Sequence, residues 1–227
     1  PAPTNEPARD FVPGSAESLS VSAAIAGLRS ARRELPHVVD GQRIMTAQTQ
    51  DVVEPHDHAS VVGTMAVAAE AVTRQAIDSC LAAQHDWSRT PWWERAAVML
   101  RAGDLASGKY RDELVAATMV GQSKTFHQAE IDAACELIDF WRYNVAFGAD
   151  IMRDQPVSTS AMWNQTDYRP LEGFIYAVSP FNFTAIGGNL TTTPALMGNT
   201  VLWKPAGTAM LGAYYTMKLL EAAGLPP

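Results

Sequence analysis

The spacing of apolar residues predicts helices over much of the first part of the chain, where apolar side chains recur every three or four residues. The approximate helical ranges are 15–33, 68–87, 90–108, 111–120 and 126–148. Ser15 and Thr90 are suited to cap the first and third helices, and Gly108, Gly121 and Gly148 to end the last three. The first helix is predicted to bury one face, formed by Leu19, Ala23, Ala26 and Ser30. The second presents an apolar face formed by Val72, Ala76, Cys80 and Ala83.

Two strand pairs are predicted between the first two helices. The first is "HVVDGQRI", because Asp40-Gly41 suits the type I′ turn of a tight hairpin. The second joins "DVVEP" to "SVVGTMAV" across the polar stretch "HDHA", residues 56–59. We expect that stretch to be a turn and not a metal site, since no third ligand lies near it in sequence.

The last part of the chain predicts strands that alternate with helices. "GFIYAVSP" and "NTVLWKP" are short apolar runs, the segment between them ends at the helix stop "MGN", and a final helix spans about 208–223. Continuously apolar strands joined by helices form parallel sheets covered on both faces, so the predicted fold class is α/β. Ligands of such sheets bind beyond the carboxyl ends of the strands, here Ser179–Asn182 and Lys204–Pro205.

Composition narrows the function classes. The chain has 227 residues, 47% hydrophobic and 18% charged, as in globular proteins, and a net charge of −7 without a basic stripe, so we expect no nucleic-acid partner. No apolar run approaches the roughly 20 residues of a membrane span, and the N-terminus lacks the apolar core of a secretion signal. Cys80 and Cys135 form neither a disulfide framework nor a metal site, which favours a reducing compartment.

Two polar residues at the strand ends have more than one interpretation. Asn182 stands between two phenylalanines in "SPFNFTAIGG", where burying its amide without a partner would cost about 1–3 kcal/mol. It is either a helix N-cap or a donor aimed at a developing oxyanion. Lys204 is either a solvated strand end or a ligand of a nucleotide's ribose or phosphate oxygen.

Other residues give weaker signals. "GGN" at 187–189 does not match the G-x-G-x-x-G fingerprint of dinucleotide-binding turns. Cys135 lies mid-helix without thiolate-stabilising surroundings and is not expected to be a nucleophile. The long helix carries four acidic residues, Glu130, Asp132, Glu136 and Asp139. Most of them are expected to be solvated, and Glu136 is the one expected to point inward.

Long motifs of this sequence resemble the Δ1-pyrroline-5-carboxylate dehydrogenase branch of the aldehyde dehydrogenase superfamily. "SPFNF" followed by "WKP" resembles the superfamily, and the branch motifs are "MVGQSKT", "QAEIDAACELIDFWRYN", "PLEGFIYAVSPFNFTAIGGNL", "PALMGNTVLWKP" and "TAMLGAYY". The resemblance runs from about Phe11 to Pro227 and implies the N-terminal part of a Rossmann-type, parallel-sheet NAD-binding domain with an oligomerisation arm. The implied segments are an extension and helix (1–35), strand pairs then helices (36–149), arm strands (150–171) and a truncated βαβα part of the nucleotide-binding sheet (172–227).

The resemblance also implies an activity and roles for individual residues. The family oxidises an aldehyde with NAD, and in this branch the substrate is L-glutamate γ-semialdehyde, formed from Δ1-pyrroline-5-carboxylate. Asn182 matches the oxyanion donor and Lys204 the ligand of the adenosine ribose. Glu136 and Phe183 match substrate-binding residues. The remaining matched positions line the cofactor: Ser179, Pro180, Phe181, Ala206 and Gly207. The alternatives are an aldehyde dehydrogenase with a different substrate, or a truncated, non-catalytic nucleotide-binding module.

Two departures from the family pattern qualify these expectations. Gly207 stands where many NAD-preferring members have a glutamate, so the preference for NAD over NADP rests on the branch. Nothing in the sequence matches the family's nucleophilic cysteine or base glutamate, so we expect that 227 residues are not the functional unit. The resemblance implies a homodimer or larger homo-oligomer. The expected location is the cytoplasm, or the mitochondrial matrix in a eukaryote.

Overall fold

A computed structural model describes residues 2–227. Its α-helices are α1 Ala16–Arg29, α2 Glu70–Arg89, α3 Trp92–Ser107, α4 Arg111–Gln122, α5 Phe126–Ala129, α6 Leu137–Arg153, α7 Thr184–Leu196 and α8 Met210–Ala223. Its strands are β1 Arg33–Leu35, β2 His37–Val39, β3 Gln42–Ile44, β4 Thr49–Glu54, β5 Asp57–Ala66, β6 Ile175–Val178 and β7 Val201–Lys204. A π-helical turn, Glu130–Glu136, joins α5 to α6, and a 3₁₀ turn, Gly207–Ala209, precedes α8.

The two C-terminal strands form the predicted parallel pair. β6 and β7 run side by side from Ile175↔Val201 to Val178↔Lys204, and α7 makes the crossover between them. This arrangement confirms the α/β class and brings both carboxyl ends to one edge. One face of this strand pair is not covered, since Tyr176 remains 57% exposed on the face away from α7.

The uncovered face borders a large cavity. The cavity measures about 780 Å³ and lies between α2, the β6–β7 pair, α8 and the β2–β3 hairpin. The apolar face predicted for α2 lines it, and within residues 2–227 no side chain of α2 is fully buried. Lys204 and Gly207 are among the lining residues.

The N-terminal strands follow the predicted pairing with one change. β2 and β3 form an antiparallel hairpin, and the positive φ angles of Asp40 (50°) and Gly41 (70°) are those of the predicted type I′ turn. β5 pairs antiparallel with β4 and parallel with β1. The second turn lies at Pro55-His56, so the predicted turn over 56–59 is wrong, because β5 already begins at Asp57.

A helical core supports the sheet. The largest fully buried side chains come mainly from α3, α4, α6, α7 and α8, and they include Met99, Leu114, Leu137, Ile138, Trp141, Leu196, Leu211, Leu219 and Leu220. Trp141 is buried without an unpaired donor, since its Nε1 donates to Thr192 Oγ1 at 2.9 Å. Within residues 2–227 no helix is both long and apolar enough to cross a membrane.

Predictions about the first and third helices need correction. Ser15 caps α1 as predicted, accepting from Ser18 N, but α1 ends at Arg29 and buries Val21 and Leu28, whereas Leu19 is exposed. Thr90 does not cap α3. Its hydroxyl donates back to Asp86 O at the end of α2, and Pro91 occupies the N-cap position without a side-chain bond.

Two glycines predicted to end helices lie inside them. α4 runs past Gly121 to a left-handed Ser123 (φ 54°), and α6 runs past Gly148 to Arg153. Both glycines allow close packing: a Cβ on Gly121 would lie 3.3 Å from Leu211, and a Cβ on Gly148 only 2.2 Å from the ring of Trp92. The sequence alone does not distinguish a helix-ending glycine from one required by a neighbouring helix.

The segment predicted as arm strands is mostly irregular. α6 extends to Arg153, and beyond it the backbone forms one isolated bridge, between Thr159 and Met162. The strand prediction for 150–171 is therefore wrong for this structure. The apolar side chains of the segment are exposed, Trp163 to 83%. Its role as an oligomerisation arm stays a prediction.

We expect Gly148→Ala to destabilise the protein by about 1–3 kcal/mol, because the new methyl group overlaps the ring of Trp92. Thermal unfolding of the full-length protein measures the effect. Gly27→Ala is the matched control, since Gly27 is an exposed residue of α1 with nothing within 4 Å of a Cβ. Equal melting temperatures for the two variants would contradict the packing role of Gly148.

Candidate active site

The carboxyl ends of β6 and β7 are joined by Ser179. Its backbone N donates to Lys204 O at 3.3 Å, and its Oγ accepts from Trp203 Nε1 at 2.9 Å. Ser179 is only 4% exposed, so its hydroxyl is already engaged inside the protein. Pro180 and Phe181, the next two residues, are exposed at the same edge.

Lys204 ends β7 with a free ammonium group. The side chain is exposed, and within residues 2–227 it forms no ion pair or hydrogen bond. Ala206 and the 3₁₀ turn that begins at Gly207 continue this edge. An unpaired ammonium at the strand end is available to oxygen atoms of a bound ligand.

Packing accounts for the small residue at position 207. A Cβ on Gly207 would lie 2.9 Å from Met65 Cε, at the end of β5. A glutamate at this position therefore requires Met65 to move. Gly207, which stands where many NAD-preferring members have a glutamate, thus lies at a close contact between the 3₁₀ turn and the N-terminal sheet.

Asn182 lies two residues before α7 with an exposed side chain. The interpretation of Asn182 as a helix N-cap is wrong, because Phe183 occupies the N-cap position of α7 without a side-chain cap bond. The role of Asn182 as an oxyanion donor stays a prediction. In the described part of the chain, only the backbone oxygen of Asn182 is bonded, to Lys124 Nζ at 2.5 Å. The amide is therefore free to donate to a ligand.

The N-terminus of α7 is capped from another element. Asp132 accepts from Thr184 N at 3.0 Å and from Ala185 N at 2.8 Å, so one carboxylate binds two of the helix's unpaired backbone donors. Lys124 Nζ lies 2.6 Å from Asp132 Oδ2. The expectation that Asp132 is solvated is wrong, since the residue is 2% exposed.

The π turn directs Glu130 and Cys135 to one side and leaves Asp132 on the other. In π-helix, residues five apart lie on one face, so Glu130 and Cys135 both face Arg111. Asp132 points instead to α7. Glu130 is also fully buried, contrary to expectation, because Arg111 and the backbone N of Arg9 bind its carboxylate.

Glu136 and Phe183 lie beside this group of charges. Glu136 is exposed and not directed inward as expected, and partial burial together with the charge of Asp132 raises the pKa of its carboxyl. Phe183 has its ring centroid 4.3 Å from Lys124 Nζ. Both side chains therefore neighbour the Lys124–Asp132 pair that holds the Asn182 backbone.

Neither cysteine is suited to nucleophilic attack. Cys135 is buried, and that burial, together with the nearby charge of Glu130, raises the pKa of its thiol to about 11. Burial also raises the pKa of Cys80. Over residues 2–227 no group of three His, Cys, Asp or Glu residues is arranged to hold a metal ion.

The residues that hold the start of α7 were not predicted from the sequence. Besides Lys124 and Asp132, Gln122 Nε2 donates to Thr184 Oγ1 and Thr118 Oγ1 bonds the same oxygen, both at 2.8 Å. The one sign of them in the sequence is that Phe183, at the start of α7, cannot cap the helix with its side chain. The backbone N–H groups of the first turn therefore need acceptors from another element, but the sequence does not identify that element.

Comparison with known proteins identifies the family. Residues 44–227 match the model of the "Aldehyde dehydrogenase family". The chain belongs to the aldehyde dehydrogenase family. It is 47% identical to the Delta-1-pyrroline-5-carboxylate dehydrogenase of Agaricus bisporus, covering 100% of this chain and 42% of that protein. It is 48% identical to the mitochondrial enzyme of that name from Mus musculus, covering 99% of this chain and 40% of the relative.

Solved structures of aldehyde dehydrogenases have the same fold. The Delta-pyrroline-5-carboxylate dehydrogenase from Mycobacterium tuberculosis bound with NAD and cobalamin is 54% identical, with a TM-score of 0.98. The match covers 100% of this chain and 43% of that structure. This aldehyde dehydrogenase chain thus spans about two-fifths of the length of the relatives it matches.

The raised thiol pKa has a measurable consequence in this aldehyde dehydrogenase. At pH 8 we expect Cys135 to be alkylated by iodoacetamide about 100-fold more slowly in the native protein than after denaturation, because a rise from 9.0 to about 11 depletes the thiolate by that factor. Mass spectrometry of the Cys135 peptide follows the rate, with the same peptide in urea as the control. Similar rates in the two states would contradict the burial of this thiol.

Proposed function

We propose that this chain is the N-terminal part of an NAD-dependent Δ1-pyrroline-5-carboxylate dehydrogenase. The enzyme oxidises L-glutamate γ-semialdehyde to glutamate in proline catabolism. The observation that supports this most strongly is the match over the whole chain, at 54% identity and a TM-score of 0.98, to an enzyme of that name solved with NAD. The free amide of Asn182 and the free ammonium of Lys204 at one sheet edge support it independently.

Cofactor binding is assigned to the carboxyl edge of β6 and β7. Lys204 would bind the ribose of NAD, and the fit is good because its ammonium group is exposed and has no partner in the described residues. The backbone from Ser179 to Phe181 and the Ala206-Gly207 step would line the same site. NAD, when bound, supplies the acceptor for the hydride that leaves the aldehyde carbon.

The catalytic role of Asn182 is to stabilise charge. When a thiol adds to the aldehyde carbon, negative charge develops on the carbonyl oxygen, and the amide of Asn182 donates a hydrogen bond to it. The positive end of α7 lies two residues away and favours the same charge. Burial raises the thiol pKa of both Cys80 and Cys135, which disfavours the reactive thiolate, so the nucleophile is assigned to another part of the polypeptide.

Substrate recognition is assigned to Glu136 and Phe183. Glu136 is an exposed carboxyl near Asn182's segment, suited to the amino group of the semialdehyde. Phe183, also partly exposed, would form an apolar wall beside the substrate's methylene groups.

Assembly and location complete the proposal. The enzyme is a homodimer or larger homo-oligomer, and the segment 150–171, with its exposed Val157 and Trp163, forms part of the contact. Exposed apolar side chains concentrated in one irregular segment support this assignment. The protein works in the cytoplasm, or in the mitochondrial matrix if its source is a eukaryote, as the name of the mouse relative indicates for that protein.

The activity is tested by NADH formation in the full-length protein. We expect kcat/KM with Δ1-pyrroline-5-carboxylate to exceed that with succinate semialdehyde or propanal by at least about 10-fold. A preference for one of the other aldehydes would favour a different aldehyde dehydrogenase. Absence of turnover with all of them would favour a nucleotide-binding module without catalysis.

Asn182→Ala is expected to lower kcat by about 10²–10³-fold with little change in NAD affinity, because it removes an oxyanion donor. Steady-state kinetics and NAD titration measure the two quantities. Gln75→Ala is a control for loss of an exposed side-chain amide outside the site. An unchanged kcat in Asn182→Ala would remove this residue from the oxyanion site.

Lys204→Ala is expected to raise KM for NAD by about 10-fold or more and to leave KM for the aldehyde nearly constant, because it removes a charge-assisted hydrogen bond. Lys109→Ala is the matched control, since Lys109 is an exposed lysine that lies over the ring of Tyr110. The assignment is wrong if the aldehyde kinetics respond and the NAD kinetics do not.

A further inference from the structure

Lys124 and Asp132 connect three elements at the segment that presents Asn182. Lys124 follows α4, Asp132 belongs to the π turn, and Asn182 lies just before α7. We infer that Lys124 and Asp132 are positioning residues that hold the backbone of Asn182, from which the amide projects, in place for catalysis. This inference rests on the proposed role of Asn182 and concerns two residues that do not touch the reacting atoms in that proposal.

Asp132 fixes the start of α7. Its two carboxylate oxygens accept separately from Thr184 N and Ala185 N, at 3.0 and 2.8 Å. Two bonds to one planar carboxylate restrict both the position and the direction of the first turn. The helix has no capping side chain of its own at Phe183, so this carboxylate replaces the cap.

Lys124 holds the residues just before that turn. Its Nζ lies 2.6 Å from Asp132 Oδ2, 2.5 Å from Asn182 O and 4.3 Å from the ring centroid of Phe183. One ammonium group therefore contacts the backbone of Asn182 and the side chain of the next residue. The lysine backbone is itself fixed at the end of α4, where its N donates to Met119 O after the left-handed Ser123.

The pair also balances charge beside the proposed oxyanion. A lone carboxylate at the N-terminus of α7 would cancel the positive end of the helix and disfavour a second negative charge nearby. The ammonium group of Lys124 compensates for Asp132, and the side chains of both are largely shielded from solvent, at 15% and 2% exposure. Glu136 is a further titratable group near the pair. Asp132 raises the pKa of Glu136, whereas Lys124 lowers it.

The orientation is therefore imposed on the backbone and not on the amide. No bond within the described residues restrains the Asn182 side chain, so its donors remain free while the chain on both sides is held. Such an arrangement lets the amide meet a substrate oxygen without first breaking a protein hydrogen bond.

The first test is a double-mutant cycle in the full-length enzyme. Lys124→Met is expected to lower kcat by about 10-fold or more and to change KM for NAD by less than about 2-fold. In an Asn182→Ala background the same substitution is expected to change kcat by less than about 2-fold, because the group it positions is gone. Lys124→Arg, which keeps the charge, is expected to recover most of the activity. Lys109→Met is the control for loss of an exposed lysine.

Additive losses of kcat in the cycle would overturn the positioning role, since they would show that Lys124 acts independently of Asn182. An unchanged kcat in Lys124→Met would overturn it as well. Asp132→Asn removes the charge while keeping one acceptor oxygen, and we expect it to lower kcat, as Lys124→Met does.

Hydrogen exchange separates this inference from the proposed activity. Lys124→Met is expected to speed amide exchange in residues 181–187, with no change in the Trp92–Ser107 helix α3. Unchanged protection in 181–187 would overturn the positioning role whatever the substrate. Faster exchange in an enzyme that prefers another aldehyde would support the positioning role while the proposed substrate fails.

Discussion

The buried carboxylate of Asp132 is the interaction on which the arrangement of the site depends. A carboxylate at 2% exposure is tolerated only when it is paired and hydrogen-bonded, because desolvation of an unpaired ion costs several kcal/mol. Here two backbone donors of α7 and the ammonium of Lys124 meet that requirement. The π turn, the end of α4 and the start of α7 must therefore keep fixed relative positions.

A second ionic group lies on the other side of the same π turn. Arg111 binds Glu130 and Glu6, and Arg142 binds the second oxygen of Glu6. The N-terminal segment is thereby fixed against α4 and α6, with the backbone N of Glu6 also bonded to Asp139. Residues two apart, such as 130 and 132, lie on nearly opposite sides even in a regular α-helix, whereas residues 130 and 135 would be about 140° apart there and share one side only in the wider π turn. The π turn thus binds the start of α7 through Asp132 on one side and the N-terminal extension through Glu130 on the other.

The features that the sequence predicted correctly are those determined locally. The apolar runs of β6 and β7, the Asp40-Gly41 turn, and the helix stop at Gly198 each depend on a few consecutive residues. The wrong predictions involve distant partners. Gly121 and Gly148 accommodate Leu211 and the ring of Trp92, which their own neighbours in sequence do not reveal.

The same limit explains what sequence reasoning missed at the site. The motif around Asn182 suggested a helix cap or an oxyanion donor, and the cap interpretation is wrong because Asp132, fifty positions earlier, occupies the capping role. Leaving the amide exposed avoids the cost of an unsatisfied buried donor in the absence of a ligand. Holding its backbone through Lys124 avoids the opposite cost, the loss of conformational entropy when substrate arrives. A hydrogen-bond donor that stabilises a transient charge benefits both from an exposed amide and from a fixed backbone. In this protein the amide belongs to Asn182, and the backbone is held by Lys124 from another part of the chain.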